Sequence, residues 1–123
     1  MGNTKRVLIA DDQLRSRQGL SALLTSQPGI EVVGQVGNGR EALCLIERNQ
    51  PDAVVMDAKM PALDGLAATR MIKQRWPNVR VVVLTMYGSH EAEALASGAD
   101  VFLVKGCSAE DLLKAIIDLE EEA

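Results

Sequence analysis

The sequence predicts an α/β fold: a doubly wound, five-stranded parallel sheet with five helices. Two observations carry this expectation. Five short apolar runs alternate with stretches of helical periodicity, in the order (βα)×5. The runs are apolar along most of their length, as strands covered on both faces are, rather than alternating apolar with polar. Right-handed crossovers between such strands put helices on both sides of the sheet.

Each element has a local reason. Val7-Leu8-Ile9-Ala10 is the first apolar run, and it ends in acids. Leu14 to Thr25 carries Leu14, Leu20, Leu23 and Leu24 and suits a helix. Ile30 to Val36 is β-branched and bounded by Pro28-Gly29 and Gly37-Asn38-Gly39. Glu41 to Arg48, with Ala42, Leu43, Leu45 and Ile46, is helical again, and Ala53-Val54-Val55-Met56 is the third strand. Leu66 to Trp76 is a helix stopped by Pro77. Val79 to Leu84 reads as a strand buried on both faces. Ser89 to Ser97 is a short helix closed by Gly98. Val101 to Val104 is the fifth strand, and Ser108 to Glu120 is a helix with Ser108 as its N-cap.

Composition narrows the function. The chain has 123 residues with 13 Lys+Arg and 17 Asp+Glu, a net charge of −4, which fits one domain spanning residues 1–123. At 47% hydrophobic and 24% charged, it is globular rather than disordered. Three aromatic residues (Trp76, Tyr87, Phe102) and mild acidity argue against direct nucleic-acid contact. Cys44 and Cys107 make no disulfide framework or CxxC pair, and His90 is the lone histidine, so a zinc cluster is excluded. No apolar run approaches the roughly 18 residues of a membrane span, and Met1 to Arg6 lacks a signal peptide's apolar core. A cytoplasmic protein is expected. Composition does not decide between a monomer and a homodimer.

In open parallel sheets ligands bind beyond the strand C-termini, at the topological switch point. Asp11 and Asp12 follow the first strand and Asp57 closes the third. In a 2-1-3-4-5 strand order these ends are neighbours, so the three carboxylates converge. Two unit charges about 5 Å apart repel by roughly 3 kcal/mol at an effective dielectric near 20, so such a trio wants a counter-ion. An all-oxygen cluster with room for water suits Mg2+. Solvated strand-end acids are the plainer alternative. Thr85 ends the fourth strand with a hydroxyl and Lys105 the fifth with an ammonium. Singly, each is explained by strand propensity or solvation; together with the acids they form a site for a phosphoryl group and its metal. An aspartate can be the nucleophile and carry the acyl phosphate.

These residues make the chain resemble the receiver domain of two-component response regulators (CheY-like). Val7-Leu8-Ile9-Ala10-Asp11-Asp12 is similar to the family's acidic pair after strand one. Asp57-Ala58-Lys59-Met60-Pro61-Ala62-Leu63-Asp64-Gly65 is similar to its D-x-x-M-P-x-[LM]-[DN]-G segment, and Leu84-Thr85 and Val104-Lys105 supply the other signature positions. Ile30 to Gly34 and Asn38 to Leu43 resemble the NarL/LuxR-type branch. The resemblance implies a phosphorylation-dependent switch rather than an enzyme. Asp57 would accept a phosphoryl group from a sensor histidine kinase or phosphotransfer protein. Asp12 and Asp57 would coordinate Mg2+, with Asp11 acting through water and the Lys59 backbone carbonyl completing the ligands. Thr85 and Lys105 would bind the phosphoryl group. Phe102 holds the place of the switch aromatic, although alternation alone reads it as core. The output face would run from about Tyr87 to Leu119, and a C-terminal helix-turn-helix output domain would lie outside this chain.

Some residues depart from the family's pattern. Met86 stands where a small residue is usual; it would crowd the entrance and slow phosphorylation or hydrolysis, unless it swings outward. Gly106 replaces a common proline, which leaves the preceding peptide bond open to trans. The interval from Thr85 to Lys105 is short, so the fourth helix must be short, with His90 an exposed residue at its start. Lys59 and Tyr87 take positions that modulate hydrolysis of the acyl phosphate. A haloacid dehalogenase-type phosphatase needs a general-acid aspartate two residues after its nucleophile, where Lys59 stands. A flavin carrier lacks its phosphate loop here, and a pseudo-receiver that binds partners without phosphorylation is the remaining alternative.

Overall fold

The computed structural model describes residues 4–117. Its strands are β1 (Lys5–Ala10), β2 (Ile30–Val36), β3 (Ala53–Met56), β4 (Arg80–Thr85) and β5 (Val101–Val104). The helices are α1 (Leu14–Thr25), α2 (Gly39–Asn49), α3 (Gly65–Arg75), α4 (Glu91–Ala96) and α5 (Ala109–Ile117). All strand pairs are parallel, and the sheet order is β2-β1-β3-β4-β5, as expected from the sequence.

The strands divide their side chains between two cores. Leu8, Ala10, Val54, Met56, Val81 and Val83 pack with Ala42 and Ile46 of α2, Ala68 and Ile72 of α3 and Ala94 of α4. The alternate residues Val7, Ile9, Val55, Val82 and Leu84 pack with Leu24 of α1 and Leu112, Ala115 and Ile116 of α5. This period of two with both faces apolar is why the strands read as unbroken runs. Each large aliphatic buried here contributes about 1.5–3 kcal/mol.

Element ends differ from the sequence expectation where a cap or ladder bond decides them. β1 begins at Lys5, whose N–H reaches the Gly29 carbonyl at 2.8 Å. α2 begins at Gly39 because the Asn38 side chain accepts the Glu41 N–H at 2.9 Å, and α3 at Gly65 because Asp64 accepts the Ala67 N–H at 2.8 Å. Val79 lies before β4, which runs one residue further, to Thr85. The expected Ser89–Ser97 helix is a 3-10 turn over Gly88–His90 followed by α4, with Gly98 at φ +103° behind it. Ser108 caps α5 as expected, accepting the Asp111 N–H at 3.0 Å; Leu119 and Glu120 lie outside the described residues. His90 is not exposed. It is half-buried, edge-on to Tyr87 with ring centroids 5.8 Å apart. No described peptide bond is cis, so Lys105–Gly106 is trans, with Gly106 at φ +100°. No helix among the described residues is long and apolar enough to cross a membrane.

Candidate functional site

The parallel ladder runs one residue beyond the strand ends and fixes the backbone of the site. The Asp11 N–H donates to Val36 O at 3.0 Å, Asp57 N–H to Ala10 O at 2.9 Å, and Lys105 N–H to Thr85 O at 2.7 Å. Strand register, set by the two cores, thereby sets where these side chains begin. They meet with Asp12, Gln13, Lys59, Thr85, Met86 and Tyr87 around a cleft of about 330 Å³; Asp11 lies beneath it, 1% exposed.

Three carboxylates gather there. One oxygen from each of Asp11, Asp12 and Asp57 lies within 4.8 Å of the others. Asp11 and Asp57 are buried, and Asp12 is exposed to water. The Lys105 Nζ bridges the two buried acids, at 2.8 Å from Asp11 and 3.3 Å from Asp57. Asp11 also accepts the Ser16 hydroxyl at 2.5 Å and the Gln13 N–H at 2.9 Å. Lys59 is exposed at the rim, and its N–H reaches Asp57 at 3.5 Å. Thr85 is 1% exposed at the floor, whereas Met86 is 56% exposed. Met86 thus borders the mouth instead of filling it. Phe102 is half-buried and packs against the α2–α3–α4 side of the sheet.

Identical residue types here titrate in opposite directions. Burial alone would raise the Asp11 pKa, but hydrogen bonds from Lys105, Ser16 and the Gln13 N–H hold it below the usual carboxylate range. Burial pushes Asp57 up, and the charge of Asp11 adds to it; Lys105 opposes both without prevailing. Burial would lower the Lys105 pKa, but its bond to Asp11 and the two negative charges raise it. Two close carboxylates sharing one ammonium leave negative charge unmet. An oxygen-only donor set with an open, wet side fits a hard divalent cation such as Mg2+.

Sequence reasoning brought Asp11, Asp12, Asp57, Lys59, Thr85 and Lys105 to one place, and the structure has them there. It missed Ser16 and Arg17 on α1, which bond to the side chain and the carbonyl of Asp11 respectively. It also missed why Gly65 is glycine: a Cβ there would overlap the Asp57 carbonyl oxygen. The one available signal was that Ser16 and Arg17 sit in the first turn after the acids.

Residues 7–117 match the response regulator receiver domain family. An uncharacterized transcriptional regulatory protein, YhcZ of Bacillus subtilis (strain 168), is 40% identical over 111 residues, covering 89% of this chain and 52% of that protein. The receiver domain of a response regulator NarL from Mycobacterium tuberculosis superposes with TM-score 0.90 at 28% identity, over 98% of this chain and 99% of that one. A LuxR-family two-component response regulator from Aurantimonas sp. SI85-9A1 also gives TM-score 0.90, at 30% identity, over 98% of this chain and 87% of that one. The chain spans about half the length of the curated relatives it matches.

Proposed function

The chain belongs to the response regulator receiver domain family, with relatives of the NarL/LuxR type, and from that premise we propose that it is a phosphorylation-dependent switch with Asp57 as phosphoacceptor. The supporting observation is the Lys105 ammonium 3.3 Å from Asp57, in a cleft where three carboxylates lie within 4.8 Å of one another.

The donor is a phosphohistidine on a sensor kinase or phosphotransfer protein. An Asp57 oxygen forms the new P–O bond as the donor's P–N bond breaks, and the departing imidazole keeps the electron pair. Asp12 and Asp57, with the Lys59 carbonyl and with Asp11 acting through water, would hold Mg2+, which would supply neutralisation of charge on the transferring group. Lys105 pairs with the phosphoryl oxygens, and the Thr85 hydroxyl donates to them. The new group adds about −1.5 to −2 charge and favours the conformer in which Thr85 and Lys105 reach it. Phe102 follows Thr85 inward, and the face formed by α4, β5 and α5 changes. Leu95 of α4 and Val104 of β5 are exposed, as is Tyr87 in the segment leading to α4. The readout is transcription, through a helix-turn-helix domain outside these residues, in the cytoplasm.

Acetyl phosphate with Mg2+, read by intact mass, tests this. One phosphoryl group per chain is expected, lost in Asp57→Asn and without divalent cation. An unmodified wild-type chain would instead support a phosphorylation-independent binding module, and multiple turnover of a phosphomonoester would support a phosphatase.

A further inference from the structure

The two acids after β1 are held very differently. Asp11 is fixed by Ser16, the Gln13 N–H and Lys105. Among the described residues the Asp12 carboxylate makes no hydrogen bond or ion pair, and it is exposed. Its direction therefore depends on the backbone that carries it. Side chains hold the peptide units on both sides of it: the Asp11 carboxylate accepts the Gln13 N–H at 2.9 Å on one side, and an arginine from α1 reaches the other. Arg17, on α1, sends Nη1 back to the carbonyl oxygen of Asp11 at 2.6 Å. This oxygen belongs to the peptide unit joining Asp11 to Asp12, so the bond fixes that plane and with it the Asp12 Cα.

Gly37, in the β2–α2 loop, makes the room. A Cβ there would stand 3.2 Å from Arg17 Nη1 and 4.0 Å from the Asp12 Cα. Gly37 is not among the residues with positive φ. A side chain there would press on the guanidinium rather than strain the backbone.

We propose that Arg17 is a positioning residue for divalent-cation binding: its bond to the Asp11 carbonyl, in the space Gly37 leaves, aims Asp12 at the position it shares with Asp57. The proposal rests on the Mg2+ role proposed above. It gives Arg17 a direction of effect opposite to its charge. A guanidinium close to a cation site weakens binding by repulsion. An anchor strengthens it, because partners that orient ligands are worth about 10–100-fold in metal affinity.

Calorimetric titration of the full chain with MgCl2 alone tests it, with thermal melts confirming that each variant is folded. Arg17→Ala is expected to weaken Mg2+ binding about 10-fold, with partial rescue in Arg17→Lys. Gly37→Val keeps every charge and crowds the guanidinium; it should weaken binding comparably, and the Arg17→Ala/Gly37→Val double variant no further. Should Arg17→Ala not fold, Gly37→Val carries the test alone. Unchanged or tighter binding in Arg17→Ala, unchanged binding in Gly37→Val, or additive losses in the double variant would overturn the positioning role. Absence of Mg2+ binding by the wild-type chain would overturn the proposed function itself, and this inference with it.

Discussion

Replacing Asp57 with Asn removes one charge from the cleft while nearly preserving its shape. Asp57 is 8% exposed. Lys105, 3.3 Å away, attracts its charge by about 5 kcal/mol at an effective dielectric near 20. Asp11, within 4.8 Å, repels it by about 3.5 kcal/mol on the same scale. Asp12 lies within the same distance but faces water, which cuts its contribution to about 1 kcal/mol. These charge effects cancel to within about 1 kcal/mol, so the cost of burying the carboxylate is left unmet. The raised pKa of Asp57 expresses that balance.

A carboxyl whose folded pKa exceeds its unfolded value keeps its proton where the unfolded chain has lost it. Its stabilising contribution is complete below the unfolded pKa and is lost as pH rises through the folded one. At neutral pH the ionised Asp57 is thus a net cost. Asp57→Asn is expected to stabilise the metal-free protein by about 1–2 kcal/mol, a rise of roughly 4–8 °C in Tm for each kcal/mol or somewhat less at this chain length. The gap should close toward acidic pH, where wild-type Asp57 holds its proton. It should also narrow in Mg2+, because a cation at ten times its Kd stabilises the wild type by about 1.4 kcal/mol. Circular-dichroism melts from about pH 4 to about pH 8 in chelator read the first trend, and melts at neutral pH with and without Mg2+ read the second. An Asn variant melting at or below the wild type at neutral pH would refute the reasoning, because the attraction of Lys105 would then outweigh burial and repulsion together.

The other predictions follow from the same geometry. Asp11→Asn should act in the opposite sense. The lowered pKa of Asp11 means its stabilisation is present above the unfolded pKa and lost as pH falls through the folded one, so the variant should lose about 1–3 kcal/mol in urea denaturation at neutral pH. Gly65→Ala would drive a methyl into the Asp57 carbonyl; a loss of about 3 kcal/mol, again by urea denaturation, is expected. Met86→Ala should speed phosphorylation by acetyl phosphate only about threefold, less than 1 kcal/mol of barrier, because Met86 borders the cleft mouth at 56% exposure; a hundredfold gain by time-resolved intact mass would mean that it blocks entry.

The fold was legible because both sheet faces are covered. Strands such as Val81-Val82-Val83-Leu84 have no polar face to disguise, so their apolar runs mark them directly. The acids, Thr85 and Lys105 were legible for a related reason: once the strands are placed, the residues just past their C-terminal ends must share a crevice. What escaped depends on contacts that no periodicity records. Arg17 bonds to a main-chain oxygen, which every residue has, and Gly37 and Gly65 matter for atoms they leave room for. The ends of α2 and α3 were set by Asn38 and Asp64 caps that precede the first apolar residue. His90, half-buried and edge-on to Tyr87, closes a 3-10 turn too short to show a period.

Under the proposed function, the sharing of Lys105 has a consequence for switching. In this structure the ammonium is nearer Asp11, at 2.8 Å, than Asp57, at 3.3 Å. Asp11 is therefore its principal partner before phosphorylation, which fits the low pKa of Asp11 and the raised pKa of Asp57. A phosphoryl group on Asp57 would put about −1.5 to −2 charge on the weaker side and reverse that preference. Movement of Lys105 then costs part of an existing ion pair, and the switch gains only the difference between two attractions. Under that reading the same bond that steadies the resting site would limit how far phosphorylation shifts it and would return Lys105 to Asp11 once the group is lost.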